Sequence, residues 1–435
     1  MRDIRDQESI EYWRETIIWT ELIAKITKRR SRTRISHEMR TENFCENIRR
    51  LSGQKELESV PHGDTVEYFN VRARVEDFEK LQAKMIRTLV RQRVLEKFRL
   101  QNKYYMVPID GVHIHSFDYK HCDKCQVRED EHGNKRWFHY KVQASIVTHQ
   151  GFCLPIASEW IENEGNYDKQ DCERKAFYRL VKKLRVLYPR LEMCLLLDNL
   201  FACQPAFNAM KKARMQYIAV FKEGSMSYIY PWVMDVKGHV AKDNIIVETE
   251  EKEIAQRNRR SHEEKLLRGK PQNKKRTVTT ETTYSWVTEI EFSEERSLFN
   301  VITCKEIHEG KKVCDYAWLV SDGLNLNEDN VKQLAKAGRC RWKIENEGNN
   351  IQKNGGYYLE HLNSRDEISM KIWCVILDIA HIINQLIEKG SLITVKTYGS
   401  IRNIAQRMYE HFRYFIYQEP PVPQKMQIRL FWDTG

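Results

Sequence analysis

No stretch of the 435-residue sequence is both long and apolar enough to cross a bilayer. The most apolar run, 372–387, is interrupted by Asp378, His381 and Asn384, a pattern typical of a buried amphipathic helix. The opening residues, MRDIRD, contain no apolar segment, so we expect no secretory signal. These absences favour a protein of the cytoplasm.

Disulfide-rich and disordered architectures are disfavoured as well. The 11 cysteines are odd in number, and without a secretory signal they are expected to be reduced thiols. Hydrophobic residues make up 41% of the chain and aromatic residues 11%, which is enough for a folded core. The sequence has no internal repeat and no low-complexity tract. A chain of this length is expected to form two or three domains.

What the sequence does have is an excess of positive charge. The 72 Lys and Arg residues against 61 Asp and Glu residues give a net charge of +11, which suits nucleic acid or an anionic membrane as a partner. A membrane surface is the less favoured of the two, because the basic runs lack an adjoining amphipathic aromatic face.

Two basic clusters are candidate DNA contacts. The alternative is a solvated loop for the first cluster and a flexible surface insertion without a role for the second. The first lies within 28–34 and the second ends at 276; their candidate residues are Arg29, Arg30, Arg32, Arg34, Lys274, Lys275 and Arg276.

The order of periodic segments predicts an α/β fold. Helical spacing dominates 1–100, where Asp64 and Thr65 can cap a helix that runs from Val66 towards Leu100. Strand patterns follow at 104–110, 139–148, 152–160, 193–198 and 217–221, with helices at 171–187 and 206–213. Hairpin strands followed by crossover helices are the arrangement of a ribonuclease H-like core.

Five regions are expected along the chain. They are a helical, DNA-binding N-terminal region (1–100), the first part of the core (101–222), a β-rich insertion with a mobile basic loop (223–316), the last part of the core (317–390) and a C-terminal helical region (391–435). The last part of the core is expected to carry one long helix, 328–353, and a second helix at 365–388.

Three carboxylates are candidate catalytic and metal-binding residues. Asp110 and Asp198 end apolar strands, and Glu345 lies on the long helix. A single acid at a strand end is more often a cap, but three acids in this order match phosphodiester chemistry, which uses two divalent ions roughly 3.5–4 Å apart. Carboxylate oxygens are the ligands that Mg²⁺ prefers.

The segment from Arg341 through Glu345 to Lys353 resembles the Tyr-Arg-Glu-Lys signature of cut-and-paste bacterial insertion-sequence transposases of the Asp-Asp-Glu class. The position of the signature tyrosine is Gly338 here, and that of the signature lysine is Gln352. Further stretches that resemble a subset of that family are 60–65, 109–111, 169–173, 197–200, 345–348, 355–361 and 427–430.

This resemblance implies a DNA transposase that binds the terminal inverted repeats of its element, cuts the ends and joins the 3′-hydroxyl ends to target DNA. It implies that Asp110, Asp198 and Glu345 hold two Mg²⁺ or Mn²⁺ ions, that Arg341 and Lys353 contact phosphates, and that a homodimer holds paired ends in the bacterial cytoplasm, on the nucleoid when bound to DNA. Glu347 is a rival for the third carboxylate. The alternative functions are a nuclease without strand transfer and a non-catalytic DNA-binding protein derived from a transposase.

A Cys-x-x-Cys motif, Cys122 and Cys125, has several histidines nearby, namely His113, His115, His121 and His139. Because no second such motif is close, buried reduced cysteines are the favoured interpretation. The alternative is a structural Zn²⁺ ion held by Cys122, Cys125 and His139.

Overall fold

The fold is described from a computed structural model of the chain. The residues that the structure describes are 3–6, 8–29, 31–163, 171–224, 226, 229–231, 233, 244–256, 274–292, 297–390 and 399–416. They form a mixed α/β protein that divides into two compact units. The first unit comprises Met1–Cys194 and Cys340–Gly435, and the second comprises Leu195–Arg339.

Five helices open the first unit: α1 (Arg14–Ile26), α2 (Arg32–Glu38), α3 (Glu42–Ser52), α4 (Gly63–Arg72) and α5 (Val75–Arg91). Thr41 caps α3 by accepting a hydrogen bond from the Phe44 amide, and Gly53, with φ of 78°, ends that helix. The helical stretch expected from Val66 towards Leu100 is divided into α4 and α5. Its first turn is capped by the His62 ring, which accepts from the Asp64 amide, and not by the Asp64 or Thr65 side chain.

Four antiparallel strands follow: β1 (Tyr105–Phe117), β2 (Gln126–Glu129), β3 (Lys135–Val147) and β4 (Cys153–Ile161). β3 pairs with β1 along one edge and with β2 and then β4 along the other. β1 is longer than predicted, and the four-residue β2 was not predicted. Helix α6 (Glu173–Leu187) comes next and begins close to its expected start.

One apolar core joins the N-terminal helices to the C-terminal ones. Helix α10 (Glu367–Lys389) runs through it, and helix α11 (Ile401–Tyr414) packs at its side. Its members include Ile17 of α1, Phe44 of α3, Trp373 of α10 and Tyr409 of α11. Contrary to the expectation from the sequence, helix α10 is long and apolar enough to cross a membrane by composition, but 78% of its most apolar stretch is buried inside the protein. The predicted boundary at residue 100 therefore does not separate two units.

The second unit begins within β5 (Met193–Leu197), which the division between the units cuts after Cys194. It continues through α7 (Gln204–Lys212), β6 (Gln216–Val220), β7 (Ile245–Gln256), β8 (Lys274–Phe292), β9 (Ser297–His308), β10 (Lys311–Ser321) and α8 (Val331–Arg339). The strand order is β5-β6-β10-β9-β8-β7. The β-rich insertion is thus present as long antiparallel strands.

The predicted basic loop needs a correction at its end. Lys274, Lys275 and Arg276 begin strand β8, where they pair with the last residues of β7, so their backbone is held in a ladder and is not a loop. Residues 257–273 lie outside the described part of the chain.

The predicted long helix 328–353 is also not regular. Helix α8 ends at Arg339 and is followed by a 3₁₀ turn (Cys340–Trp342), a π-helical turn (Ile344–Asn349) and the short helix α9 (Asn350–Asn354). Two glycines account for the tight packing here. A Cβ at Gly338 would lie 2.7 Å from the Trp318 ring, and one at Gly348 would lie 2.7 Å from the Cys153 sulfur.

Candidate active site

Asp110 lies near the middle of β1 and not at the end of a strand as predicted. It pairs with Gln143 of β3, and its side chain is partly buried. The next residue, Gly111, has no room for a side chain, because a Cβ there would lie 2.6 Å from a ring carbon of Tyr140. The Tyr140 ring therefore covers the backbone next to Asp110. This close approach explains the Asp-Gly sequence at the site.

Tyr140 is a site residue that the sequence reasoning missed. Burial raises the pKa of its hydroxyl, and the carboxylates of Glu173 and Asp110 raise it further. Glu173, the first residue of α6, also hydrogen-bonds the hydroxyl. The phenol is consequently a neutral hydrogen-bond donor between two acids at neutral pH. The spacing of residues in the sequence carries no signal for this placement, because it depends on the register between β1 and β3.

Glu345 lies on the π-helical turn, and its side chain is 41% exposed. The π-helix is rare and occurs frequently at functional sites, since the extra residue displaces one side chain from the regular helical face. The turn packs on β4 through the contact between Gly348 and Cys153. Glu345 is thus an accessible carboxylate on a closely packed, irregular turn.

Arg341 lies beside Glu345, and the closest approach of its Nη1 to the carboxylate is 4.0 Å. Only 9% of the arginine side chain is exposed. Its Nε atom is buried and has no hydrogen-bond partner in the described structure. The guanidinium stacks on the ring of Trp342, 4.7 Å away. A buried guanidinium with an unsatisfied donor is suited to an incoming anion, because a phosphate oxygen would satisfy it.

Glu347, the rival carboxylate, lies in different surroundings. Lys343 pairs with it at 2.8 Å. Its side chain lines a cavity of about 310 Å³ together with Lys28 and Lys389. The two acids of the π-helical turn therefore face separate groups, and Glu347 already has a cationic partner.

The positions expected to carry the signature lysine do not extend the Arg341–Glu345 face. Lys353 pairs with Glu360 at 2.7 Å. Gln352 is fully buried and donates to Asp378 at 2.7 Å. Because the turn is π-helical, the predicted eight-residue spacing between Glu345 and Lys353 does not follow regular helical geometry. The residue at 352 is part of the core.

Gly338 stands at the position of the signature tyrosine, and packing within the second unit explains why a tyrosine does not fit there. The fully buried ring of Trp318 occupies the space next to Gly338, so no side chain fits there. Arg339 pairs with Glu306 at 3.2 Å and stacks on Tyr316.

Asp198 belongs to the second unit and follows β5 directly. Its carboxylate caps a 3₁₀ turn (Asn199–Phe201) by accepting a hydrogen bond of 2.9 Å from the Leu200 amide. One oxygen of the carboxylate thus fixes the turn, and the side chain is only partly buried. Its position at the end of a buried strand agrees with the sequence-based expectation.

The first basic cluster is largely used for internal contacts, which corrects the interpretation as a solvated loop. Arg29 pairs with Glu38 at 3.3 Å and lies over the Tyr409 ring at 4.2 Å. Arg32, the first residue of α2, pairs with Glu67 of α4. Arg34 is 51% exposed and pairs loosely with Glu38. Arg30 lies outside the described residues, so Arg34 is the accessible described member of the cluster.

The residues of the Cys-x-x-Cys motif come together with histidine. The ligand atoms of His121, Cys122, Cys125 and His139 all lie within 4.8 Å of one another. No disulfide joins any of the 11 cysteines, each of which lies in the described part of the chain. His113 and His115, the other two neighbours, are directed elsewhere: His115 contacts the Glu360 carbonyl and His113 contacts Ser116.

No protein-family model matches the chain, and no curated protein sequence matches it. Among solved structures, the chain is similar to the piggyBac transposase in a synaptic complex with hairpin DNA. The TM-score is 0.40 and the sequence identity is 12%, over 94% of this chain and 74% of that one.

Proposed function

We propose that the chain is a DNA transposase of the Asp-Asp-Glu class with a ribonuclease H-like core. The observation that carries the proposal is the accessible carboxylate of Glu345 on a π-helical turn, beside the buried and incompletely bonded guanidinium of Arg341. A metal-binding acid next to a phosphate-binding cation is what transfer of a phosphodiester requires. The sequence around this pair is the part that resembles the transposase signature.

In this proposal Asp110, Asp198 and Glu345 hold two Mg²⁺ or Mn²⁺ ions. The donor set fits, because all three are partly exposed carboxylates on packed elements, and hard oxygen donors suit these ions. The ions would activate the attacking oxygen and stabilise the leaving oxygen. Arg341 would bind a phosphate of the cut strand. The assignment of one centre to the three acids comes from the motif resemblance.

The partner is double-stranded DNA, first the inverted repeats at the ends of the element and then the target. A net charge of +11 supports a polyanionic partner. Cutting two ends together requires two copies of the chain, so we propose a homodimer on paired ends. Its place would be the bacterial cytoplasm, on the nucleoid when bound to DNA.

The test is cleavage of duplexes that carry the two ends of the DNA element encoding this chain, with Mg²⁺ present. The control is a duplex of equal length from inside the element. We expect the wild-type chain to cut at the element boundary and to join a pre-cut 3′-hydroxyl end to a plasmid. Asp198→Ala should bind the same duplex and leave it uncut.

The outcomes separate the alternatives. Cutting without joining of pre-cut ends would contradict the transposase and favour a nuclease. Binding of the end duplex by both proteins with no cutting in Mg²⁺ or Mn²⁺ would favour a DNA-binding protein that has lost catalysis.

A further inference from the structure

We propose that His121, Cys122, Cys125 and His139 form a structural zinc site. The site lies in the first unit. Its first three residues are on the loop between β1 and β2, and His139 is on strand β3. All four residues are at least partly buried, with Cys125 and His139 fully so. Three of these residues match the alternative that the sequence left open, and His121 is added by the structure.

The distances fit tetrahedral coordination. With zinc–sulfur bonds of about 2.3 Å and zinc–nitrogen bonds of about 2.0–2.1 Å, a tetrahedral site places two sulfurs about 3.8 Å apart and a sulfur about 3.6 Å from a nitrogen. The two cysteine sulfurs are 3.5 Å apart, and the His139 Nε2 is 3.6 Å from one and 3.5 Å from the other. A disulfide would require about 2.05 Å between the sulfurs.

The two imidazoles are oriented around the same point by an aromatic ring. Phe117, the last residue of β1, stacks on His121 with centroids 4.4 Å apart and meets His139 edge-on at 6.1 Å. The rings of His121 and His139 are nearly perpendicular, at 85°. The Nδ1 atom of His121 is buried without a hydrogen-bond partner in the described structure. An apolar wall behind paired ligands is a common setting of a zinc centre.

The loop that carries the cysteines is bonded to two other parts of the first unit. The backbone carbonyl of Cys125 accepts a 2.8 Å hydrogen bond from Asn163 just after β4. Lys124, between the two cysteines, pairs with Glu367 at the start of α10 at 2.7 Å. A zinc ion would therefore fix the far end of the β1–β3 hairpin against β4 and α10. Its role would be structural, because all four ligands are protein side chains and no position is left open.

The first test is the zinc content of the full-length chain, purified without chelator and measured by plasma mass spectrometry. We expect about one zinc ion per chain in the wild type. Cys122→Ser should lose it, and Cys172→Ser, which changes an exposed cysteine at the start of α6, should keep it. A wild-type chain without zinc, whose stability is unchanged by added zinc and by chelator, would overturn the proposal.

Removal of a ligand cysteine could also prevent folding, since metal binding contributes folding free energy. Cobalt exchange into the wild-type chain avoids this difficulty. A tetrahedral site with two thiolates gives strong visible absorption, which zinc should abolish on competition. Absence of that absorption in a chain that takes up cobalt would contradict the site.

The fourth proposed ligand, His121, is tested with a matched pair of histidine variants. His121→Asn should weaken zinc affinity by at least about 100-fold, more than the loss of a group that only supports a ligand. His132→Asn, in the exposed turn between β2 and β3, should leave the affinity unchanged. Equal affinities for the two variants would remove His121 from the site and overturn the four-ligand assignment.

Discussion

Two ion pairs of the first unit have the same chemistry and opposite surroundings. Lys141 and Asp378 are 3.5 Å apart, with side chains 0% and 3% exposed. Arg341 and Glu345 are 4.0 Å apart, with the arginine buried and the acid 41% exposed. The first pair is closed to solvent and can only stabilise or destabilise the fold. The second is open on the acidic side and can accept a ligand.

The difference shows why burial alone does not identify a functional charge. Asp378 is surrounded by Gln143, Gln352 and Lys141, and its burial raises the pKa of its carboxyl. The acid is therefore matched to a fixed internal network. Lys141 Nζ and Arg341 Nε both lack a hydrogen-bond partner in the described structure, so the pairs differ in the exposure of the acid, which is 3% for Asp378 and 41% for Glu345.

The largest effect is expected at the open pair. Glu345→Gln should lower the rate of end cleavage by at least about a thousandfold, because loss of a metal ligand removes several kcal/mol of transition-state stabilisation. Glu347→Gln, two residues along the same turn, is the control and should cut within about tenfold of the wild type. Cleavage by Glu345→Gln at the wild-type rate would remove this residue from the centre.

The closed pair is expected to act on stability. Lys141→Met should lower the free energy of unfolding by about 3 kcal/mol or more, since it leaves the Asp378 carboxylate buried without a cation. The double variant Lys141→Met with Asp378→Leu should recover much of the loss, because an apolar pair needs no compensation. Denaturant unfolding measures both. If Lys141→Met is as stable as the wild type, Lys141 does not compensate a buried charge on Asp378.

The same core is expected to be sensitive to acid through His381. Its burial lowers the pKa of the ring from 6.5 to about 3. Between these values the unfolded chain binds a proton that the folded chain does not, so stability should rise with pH across this window and fall on acidification. The slope from this one group is at most about 1.4 kcal/mol per pH unit. His381→Leu should flatten the pH profile of unfolding, and His37→Asn, on the exposed side of α2, should not.

The smallest effects are expected for two arginines of the first basic cluster, Arg29 and Arg34. Arg29→Gln should cost about 1 kcal/mol of stability, because the cation lies over Tyr409 and pairs with Glu38. Arg34→Gln should change stability by less than about 0.5 kcal/mol and should lower the salt dependence of DNA binding by about one phosphate contact. An unchanged salt dependence would exclude Arg34 from the DNA contact.

Several helices and strands could be predicted because their apolar residues repeat with the period of the element. The strands β3 to β6 and the helices α6, α7 and α10 lie close to their expected positions. The short β2 has too few residues for a period to emerge. The π-helical turn packs its Gly348 against Cys153, and such a contact between residues far apart in the sequence is not visible in a local pattern.

The candidate site was partly predictable for the same reason. The four-residue spacing placed Arg341 next to Glu345, as observed. Lys353 was expected on the same face, but the π-helical turn intervenes and the lysine pairs with Glu360. Tyr140 was missed because its place beside Asp110 depends on the register between β1 and β3, which spacing along one strand does not give.

The central claim is that Asp110, Asp198 and Glu345 bind metal together. The most direct measurement is Mn²⁺ binding to the full-length chain on end DNA, followed by electron paramagnetic resonance. The account predicts that Asp110→Asn, Asp198→Asn and Glu345→Gln each weaken the binding and that Glu347→Gln does not. Wild-type Mn²⁺ affinity in Asp198→Asn would contradict a shared centre.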